Sequence, residues 1–118
     1  MEIFGTDEFE SWYLELDEAG QEAVDAVVEK LGVAGIRLSF PHSSAINGSK
    51  LALRELRPKS GRSPLRVFYA FAPSRDAILL LGGDKSDDPK FYRRMTRRAE
   101  AIWNDYLQEL EALEPQRK

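Results

Sequence analysis

The chain contains no cysteine and a single histidine, His42. Without cysteine it can form neither a disulfide framework nor a thiolate zinc site, and a reducing compartment suits it. His42 could act as a base near neutral pH, although a loop histidine without a chemical role is commoner. The spacing around it offers no partners for a Ser-His-Asp triad or a metal site. We therefore predict neither a metal ion nor a cofactor.

Long apolar runs are also missing. No run approaches the ~20 residues that cross a bilayer, and the first residues are acidic rather than basic and apolar, unlike a signal peptide. We expect a soluble cytoplasmic protein with no membrane partner. A chain of 118 residues is enough for one compact domain, residues 1–118, and too short for two.

The net charge of −3 conceals a strong asymmetry along the chain. Residues 1–30 carry a charge of −9, residues 31–98 carry +9, and residues 99–118 carry −3. A basic block of this size is typical of proteins that meet nucleic acid or an acidic partner. Alternatively, the acidic and basic segments pair with each other inside the fold. Composition leaves both interpretations open.

Hydrophobic spacing predicts the order β-α-α-β-β-β-α. A β-prone start precedes two short helices with apolar residues at helical spacing, and a loop at residues 36–50 follows them. Three strand-like runs and a long helix complete the chain. These four elements are predicted at residues 51–57, 65–72 and 77–81 and from Asp87 or Asp88 to about Leu113. The pattern predicts an α+β fold, with the helices against one face of an antiparallel sheet.

The segment Gly82-Gly83-Asp84-Lys85 follows a strand and precedes a helix, as phosphate-binding loops do. It has neither the length of a Walker loop nor the third glycine of a dinucleotide-binding turn. The acidic residues Asp84, Asp87 and Asp88 suit a helix N-terminus better than they suit a nucleotide phosphate. The sequence therefore argues against a nucleotide-binding loop here.

Basic residues are concentrated on the predicted sheet and its turns. They are Lys50, Arg54, Arg57, Lys59, Arg62, Arg66 and Lys85. Because side chains alternate along a strand, Arg54 and Arg57 point to opposite faces, whereas Arg57 and Arg66 flank one turn and can converge. Arginines at an open sheet face suit an RNA backbone. The alternative is a solvated face paired with acids of the first helices.

The first turns of the last helix form a second basic group around Tyr92. Its members are Lys90, Arg93, Arg94, Arg97 and Arg98. Like charges four residues apart repel each other by a few tenths of a kcal/mol unless acids or a polyanion face them. Tyr92 lies beside the apolar stripe of this helix. It is either a core residue or a group that stacks on a substrate or transfers a proton.

Several motifs together resemble the RelE/ParE superfamily of type II toxins, and most of all its HigB-like, phage-associated branch. The resemblance extends over about residues 2–110, and the set of motifs is more specific than any one of them. The motifs are Ile3–Phe9, Phe40–Ser44, Leu53–Arg57 followed by a Gly-Arg turn, Leu65–Phe71, Ala77–Lys85 and Phe91-Tyr92.

The resemblance implies a small RelE-like toxin encoded beside an antitoxin, which is expected to be a helix-turn-helix protein. It further implies a metal-independent ribonuclease that cuts mRNA on the ribosome by attack of a 2′-hydroxyl on the adjacent phosphate. By position, Arg66 matches the strand arginine held against the scissile phosphate and Tyr92 the aromatic residue that opens the last helix. Lys85 falls near a second basic site, and Arg57 matches the residue that closes the Leu-Arg motif. The residues expected to bind RNA are Lys50, Arg54, Lys59, Arg62, Lys90, Arg93, Arg94 and Arg97.

The chain departs from this pattern at the expected general base. Where some RelE-type enzymes carry Lys-x-Lys, it has Leu53-Arg54-Glu55. Lys50, Glu55 and His42 remain as candidate bases. Two other functions stay open, because one fold can host several activities: a ParE-like inhibitor of DNA gyrase, and a non-catalytic toxin homologue that binds an antitoxin or a phage regulator.

Overall fold

The computed structural model describes residues 1–61 and 63–113, and it confirms the α+β class. Five strands, three α-helices and a short 3₁₀ helix at Gly35–Arg37 make up this part. The strands are β1 (Ile3–Gly5), β2 (Ser43–Ala45), β3 (Arg54–Leu56), β4 (Leu65–Phe71) and β5 (Ala77–Asp84). The α-helices are α1 (Asp7–Leu14), α2 (Glu18–Ala34) and α3 (Phe91–Ala112).

The strands form one sheet in the order β1-β5-β4-β3-β2. β1 runs parallel to β5, and the other neighbours are antiparallel, so the sheet is mixed and not wholly antiparallel as predicted. β2 lies within residues 36–50, which the sequence assigned to a loop. Its three residues pair with β3, with Ser43 opposite Leu56 and Ala45 opposite Arg54.

Helices cover both faces of the sheet, which corrects the prediction that they lie against one face. On one face α3 packs Phe91 and Met95 over Phe68 of β4. On the other face α1 and α2 pack against Val67 and Tyr69 of the same strand. Burial of such side chains stabilises the fold by about 1.5–3 kcal/mol each. β4 is apolar at nearly every position because a strand buried on both faces needs no polar side.

Side-chain oxygens cap the first two helices. The Thr6 hydroxyl accepts a hydrogen bond from the Phe9 backbone N–H (3.1 Å), and Asp17 does the same for Gly20 (2.8 Å). α3 begins at Phe91, later than the predicted start at Asp87 or Asp88, and Asp88 instead accepts from the Lys90 backbone N–H (3.0 Å). None of the helices in residues 1–61 and 63–113 combines the length and apolarity needed to traverse a bilayer.

Two glycines in β5 let helices approach the sheet closely from both sides. A Cβ atom at Gly82 would overlap the Trp12 ring of α1. At Gly83 it would lie 2.9 Å from both Met95 Cε and Phe91 Cε1 of α3. Contacts of that length are far inside van der Waals distance, so a side chain at either position would force the helix side chains that it meets to shift. The glycine pair is therefore explained by packing on both faces of β5.

We expect Gly82→Ala to lower the free energy of unfolding by about 1–3 kcal/mol, because the added methyl group overpacks the interface between β5 and α1. Gly32→Ala in α2 is the matched control. There the new Cβ would meet only Ile3 Cδ1, at 3.7 Å, and alanine is favoured over glycine in a helix by about 0.5–1 kcal/mol. Urea unfolding of both variants checks this. Equal or greater stability of Gly82→Ala would contradict the packing account.

Candidate functional site

Four side chains that the sequence singled out meet on the α3 face of the sheet. Glu55 comes from β3, Arg66 from β4, Lys85 from the residue after β5, and Tyr92 from the first turn of α3. Glu55 and Arg66 share a face because Glu55 pairs with Phe68, two positions along β4 from Arg66. We call Glu55, Arg66, Lys85 and Tyr92 the polar cluster.

The Tyr92 hydroxyl is the centre of the hydrogen bonds in this cluster. It donates to Glu55 Oε1 (2.7 Å) and accepts from Arg66 Nε (3.2 Å). Arg66 Nε also lies 3.6 Å from Glu55 Oε1, as an ion pair. The second carboxylate oxygen of Glu55 accepts a hydrogen bond from the Ser44 hydroxyl (2.9 Å). These contacts fix the orientation of the carboxylate and the phenol.

The cluster is largely withdrawn from solvent. Glu55 is 6% exposed and Arg66 is 7% exposed, and each offsets the cost of burying the other's charge. Burial raises the pKa of Tyr92 above its ordinary value of 10.0, and its hydrogen bond to Glu55 raises it further, against an opposing effect of Arg66. Tyr92 is therefore a protonated phenol at neutral pH, able to donate its hydrogen bond to the carboxylate.

Arg66 and Lys85 supply the positive charge of the cluster. Arg66 Nη1 donates to the Leu65 carbonyl (2.7 Å) and Nε donates to Tyr92. Within residues 1–61 and 63–113, Arg66 Nη2 has no hydrogen-bond partner, and no buried side-chain nitrogen or oxygen there lacks one. The Lys85 ammonium lies 5.6 Å from the centre of the Tyr92 ring, within the range of a cation–π contact.

Arg54 belongs to a separate network on the opposite face. Its Nε donates to the Ser43 hydroxyl (3.2 Å) and to the Tyr69 hydroxyl (3.3 Å), which themselves share a 2.6 Å hydrogen bond. Neighbouring residues of β3 thus serve different faces, with Arg54 toward α2 and Glu55 toward α3. The structure separates Arg54 from the polar cluster.

Among the described residues, Arg57 and His42 form none of the side-chain hydrogen bonds of the cluster. The Arg57 guanidinium carbon is 5.5 Å from the centre of the Phe40 ring, and its backbone N–H bonds to the His42 carbonyl (2.9 Å). His42 lines a shallow apolar groove with Val33 and Leu38 beside the end of α2. Of the candidate bases, only Glu55 is part of the hydrogen-bonded network.

Those of the remaining basic residues predicted to bind RNA that the structure describes are surface groups. Arg94 forms an ion pair with Asp88 (2.8 Å), and that hydrogen bond is the main reason why the pKa of Asp88 is lowered. Arg62 lies outside the described residues. The exposed residues are Lys50, Lys59, Lys90, Arg93, Arg94 and Arg97.

Ser44 is a hydrogen-bond partner of the cluster that the sequence did not indicate. It is positioned by β2, which the Ser- and Gly-containing loop pattern concealed. Neighbouring residues of a strand point to opposite faces, so Ser43 and Ser44 belong to different polar networks. Two adjacent serines in a short strand are the signal that could have indicated this contact. In the part of the chain that the structure describes, no three His, Asp or Glu side chains gather as a metal site would require.

Comparison with known proteins gives the family. Residues 11–104 match the family described as "Phage derived protein Gp49-like (DUF891)". The chain is 33% identical over 111 residues to "Putative toxin HigB2" of Mycobacterium tuberculosis, a match that covers 92% of this chain and 55% of that protein. It is 38% identical over 82 residues to "Putative toxin HigB3" of the same organism, with 69% of this chain and 70% of that protein covered.

The chain thus spans about half the length of the first of these relatives. The family match covers the second half of α1, the whole of α2 and of β2 to β5, and most of α3, including every residue of the polar cluster. The chain belongs to the phage-derived Gp49-like family, within the HigB-like branch of RelE/ParE-type toxins.

Proposed function

We propose that this chain is the toxin of a type II toxin–antitoxin system and that it cleaves mRNA on the ribosome. Family membership and the similarity to two proteins named as toxins support the first part. One observation carries the second: a buried carboxylate, a protonated phenol, an arginine and a lysine meet at one point of the sheet. Together they can move a proton and stabilise an anionic phosphate without a metal.

In the proposed reaction the scissile phosphate binds Arg66 Nη2 and the Lys85 ammonium. The attacking 2′-hydroxyl belongs to the nucleotide whose 3′-oxygen carries this phosphate. It lies against the Tyr92 hydroxyl, which is less buried than Glu55. Positive charge at the phosphate is most effective when negative charge grows on its oxygens in the pentavalent transition state. Arg66 suits this role because guanidinium remains charged at any working pH.

Proton transfer follows the existing hydrogen bond. As the 2′-oxygen bonds to phosphorus, its proton passes to Tyr92 Oη while Tyr92 passes its own proton to Glu55, so Glu55 is the general base through a relay. The bond from phosphorus to the 5′-oxygen breaks, and Lys85 protonates the leaving oxygen. The products are a 2′,3′-cyclic phosphate and a 5′-hydroxyl end. Proton exchange with water returns Glu55 to the carboxylate and Lys85 to the ammonium.

The proposed partners are the ribosome with its mRNA and a cognate antitoxin. Exposed arginines on α3 lie beside the cluster and provide the sequence-independent attraction that an RNA backbone requires. An antitoxin that silences the enzyme would cover this basic surface with an acidic segment. Lys59 and Lys90 are proposed to belong to the same surface.

Mapping the 5′ ends of cellular mRNA shortly after induction tests the proposal. We expect new 5′-hydroxyl ends within translated regions, and their loss when translation initiation is blocked beforehand. Co-expression of the neighbouring antitoxin gene should prevent them.

Other outcomes contradict the proposal in distinguishable ways. Intact mRNA together with relaxed plasmid DNA would indicate gyrase inhibition instead. Intact mRNA with normal growth at verified expression would indicate a non-catalytic homologue. New ends that persist without translation would leave a ribonuclease but overturn dependence on the ribosome.

A further inference from the structure

A cleft adjoins the polar cluster between the β2–β3 loop and the first turns of α3. Its volume is about 340 Å³, at the lower end of the range for small-ligand pockets. Tyr92 lines it and also belongs to the cluster, so anything bound in the cleft lies next to the proposed reacting phosphate. Asn47 forms the loop side, and Arg93, Arg97 and Glu100 form the helix side.

A hydrogen bond between the loop and α3 holds the cleft in shape. The Ser49 hydroxyl donates to Glu100 Oε2 (2.7 Å), and the same oxygen of Ser49 accepts from the Leu51 backbone N–H (3.1 Å). Glu100 is partly buried, and its Oε1 has no hydrogen-bond partner among the described residues. The cleft therefore presents one oriented carboxylate oxygen beside the Asn47 amide.

The rim of the cleft is positively charged. Arg93 and Arg97 are exposed, one helical turn apart, and within residues 1–61 and 63–113 neither forms an ion pair. Two like charges at this spacing repel each other, and an anion between them relieves that repulsion. Asp88 pairs with Arg94 and so does not neutralise them. A phosphate at the rim would be bound by both guanidinium groups.

We propose that this cleft is a nucleotide subsite next to the cleavage site, in which Glu100 and Asn47 select adenine and cytosine against uracil. This inference rests on the proposed ribonuclease function. The flanking phosphate binds Arg93 and Arg97, and the Tyr92 ring edge lies beside the base. Single-stranded RNA suits such a site because its unpaired bases expose their Watson–Crick edges.

The chemistry of Glu100 sets the selectivity. An ionised carboxylate accepts hydrogen bonds and donates none. The 6-amine of adenine and the 4-amine of cytosine can donate to it, whereas uracil presents the O4 carbonyl at the corresponding position, and two acceptors repel each other. Asn47 both donates and accepts, so it can complete the pairing of an amine-bearing base. One well-formed contact of this kind discriminates by a factor on the order of 5 to 100.

The test compares cleavage positions of the wild type and Glu100→Gln in the same cells. The wild type should show depletion of uracil at one position adjoining the cut. Glutamine keeps the size of the side chain and can still accept from Ser49, but its amide can also donate to O4. We expect uracil at that position to rise about fivefold or more in Glu100→Gln. Asn47→Ala, an exposed loop substitution, should relax the preference in the same direction.

Glu109→Gln is the matched control, because it removes the same charge from α3 far from the cleft, and its cleavage pattern should equal that of the wild type. Thermal unfolding establishes that all variants are folded. Cuts by the wild type with no uracil depletion, or the same depletion in Glu100→Gln and Asn47→Ala, would overturn the subsite and leave the ribonuclease function standing. Absence of cuts by the wild type would overturn both.

Discussion

Arg66→Ala should abolish growth inhibition and lower mRNA cleavage by a factor on the order of 10²–10³, the effect of removing one oriented donor from a transition-state site. Arg66 is the only strand cation whose guanidinium contacts the Tyr92 hydroxyl in the described part of the chain. Its loss removes both the proposed phosphate contact and the charge that faces Glu55. The measurement is the number of new mRNA 5′ ends at matched expression levels.

Arg37→Ala is the control for a lost positive charge, because Arg37 is exposed in the short 3₁₀ helix between α2 and β2. Arg66→Lys separates charge from geometry. Lysine keeps the charge but lacks the planar fork that contacts Tyr92 and the Leu65 carbonyl together, so partial activity is expected. Full toxicity of a folded Arg66→Ala protein would exclude Arg66 from the reaction.

The sequence predicted the parts of the fold that have a clear period. The apolar stripe of α3 and the apolar runs of β4 and β5 were assigned correctly, because twenty or so residues of consistent spacing outweigh local exceptions. Boundaries were less well predicted: α3 begins at Phe91, since Asp88 turns its side chain to Lys90 and Arg94 instead of capping the helix. The predicted helix start at Asp87 or Asp88 rested on residue type alone, which does not show that other groups compete for the Asp88 carboxylate.

Pairing between distant segments was the information that the sequence lacked. β2 has only three residues, and it is a strand because β3 supplies its hydrogen bonds. Its position brings Ser44 to Glu55. Similarly, helices on both faces of β4 follow from tertiary packing, although the apolar character of nearly every β4 residue was consistent with that arrangement.

The glycine pair of β5 shows how one motif can suggest the wrong chemistry. Gly82 and Gly83 between a strand and a helix resemble a phosphate loop, and their residue type is correct for close backbone approach. The approaching groups are the Trp12 ring and the side chains of Phe91 and Met95. The roles proposed for Arg66, Lys85 and Tyr92 came from family resemblance. That they lie next to Glu55 could be seen only from the pairing of β3, β4 and β5.

Glu55→Gln should lower cleavage by a factor on the order of 10²–10⁴, the range for loss of a general base. Glutamine preserves shape and can still accept from Tyr92, but it cannot take a proton at neutral pH. The pKa of Tyr92 should fall relative to the wild type, because the carboxylate contributes to raising it. A spectroscopic titration of tyrosine, corrected with Tyr92→Phe, measures that change.

The free energy of unfolding should depend on pH through the same shift in the pKa of Tyr92. Because the folded pKa of Tyr92 is raised, the stabilisation from its protonated form is fully present below the unfolded value of about 10 and is lost as pH rises through the folded pKa. In Glu55→Gln the folded pKa of Tyr92 lies closer to the unfolded value, so this alkaline loss of stability should be smaller and should end at lower pH. An unchanged alkaline unfolding profile and an unchanged Tyr92 titration would show that Glu55 does not control the phenol.

A double variant can distinguish the structural role of Glu55, which is to offset the buried charge of Arg66, from its proposed role as a base. Removing one member of a buried pair costs about 3–5 kcal/mol, whereas replacing both by uncharged groups of similar size is often nearly neutral. Glu55→Gln combined with Arg66→Met should therefore be more stable than the two single effects added together, while cleavage stays lost. If the double variant regains stability and also cleaves mRNA, neither residue takes part in the reaction, and the pair is only a buried structural contact.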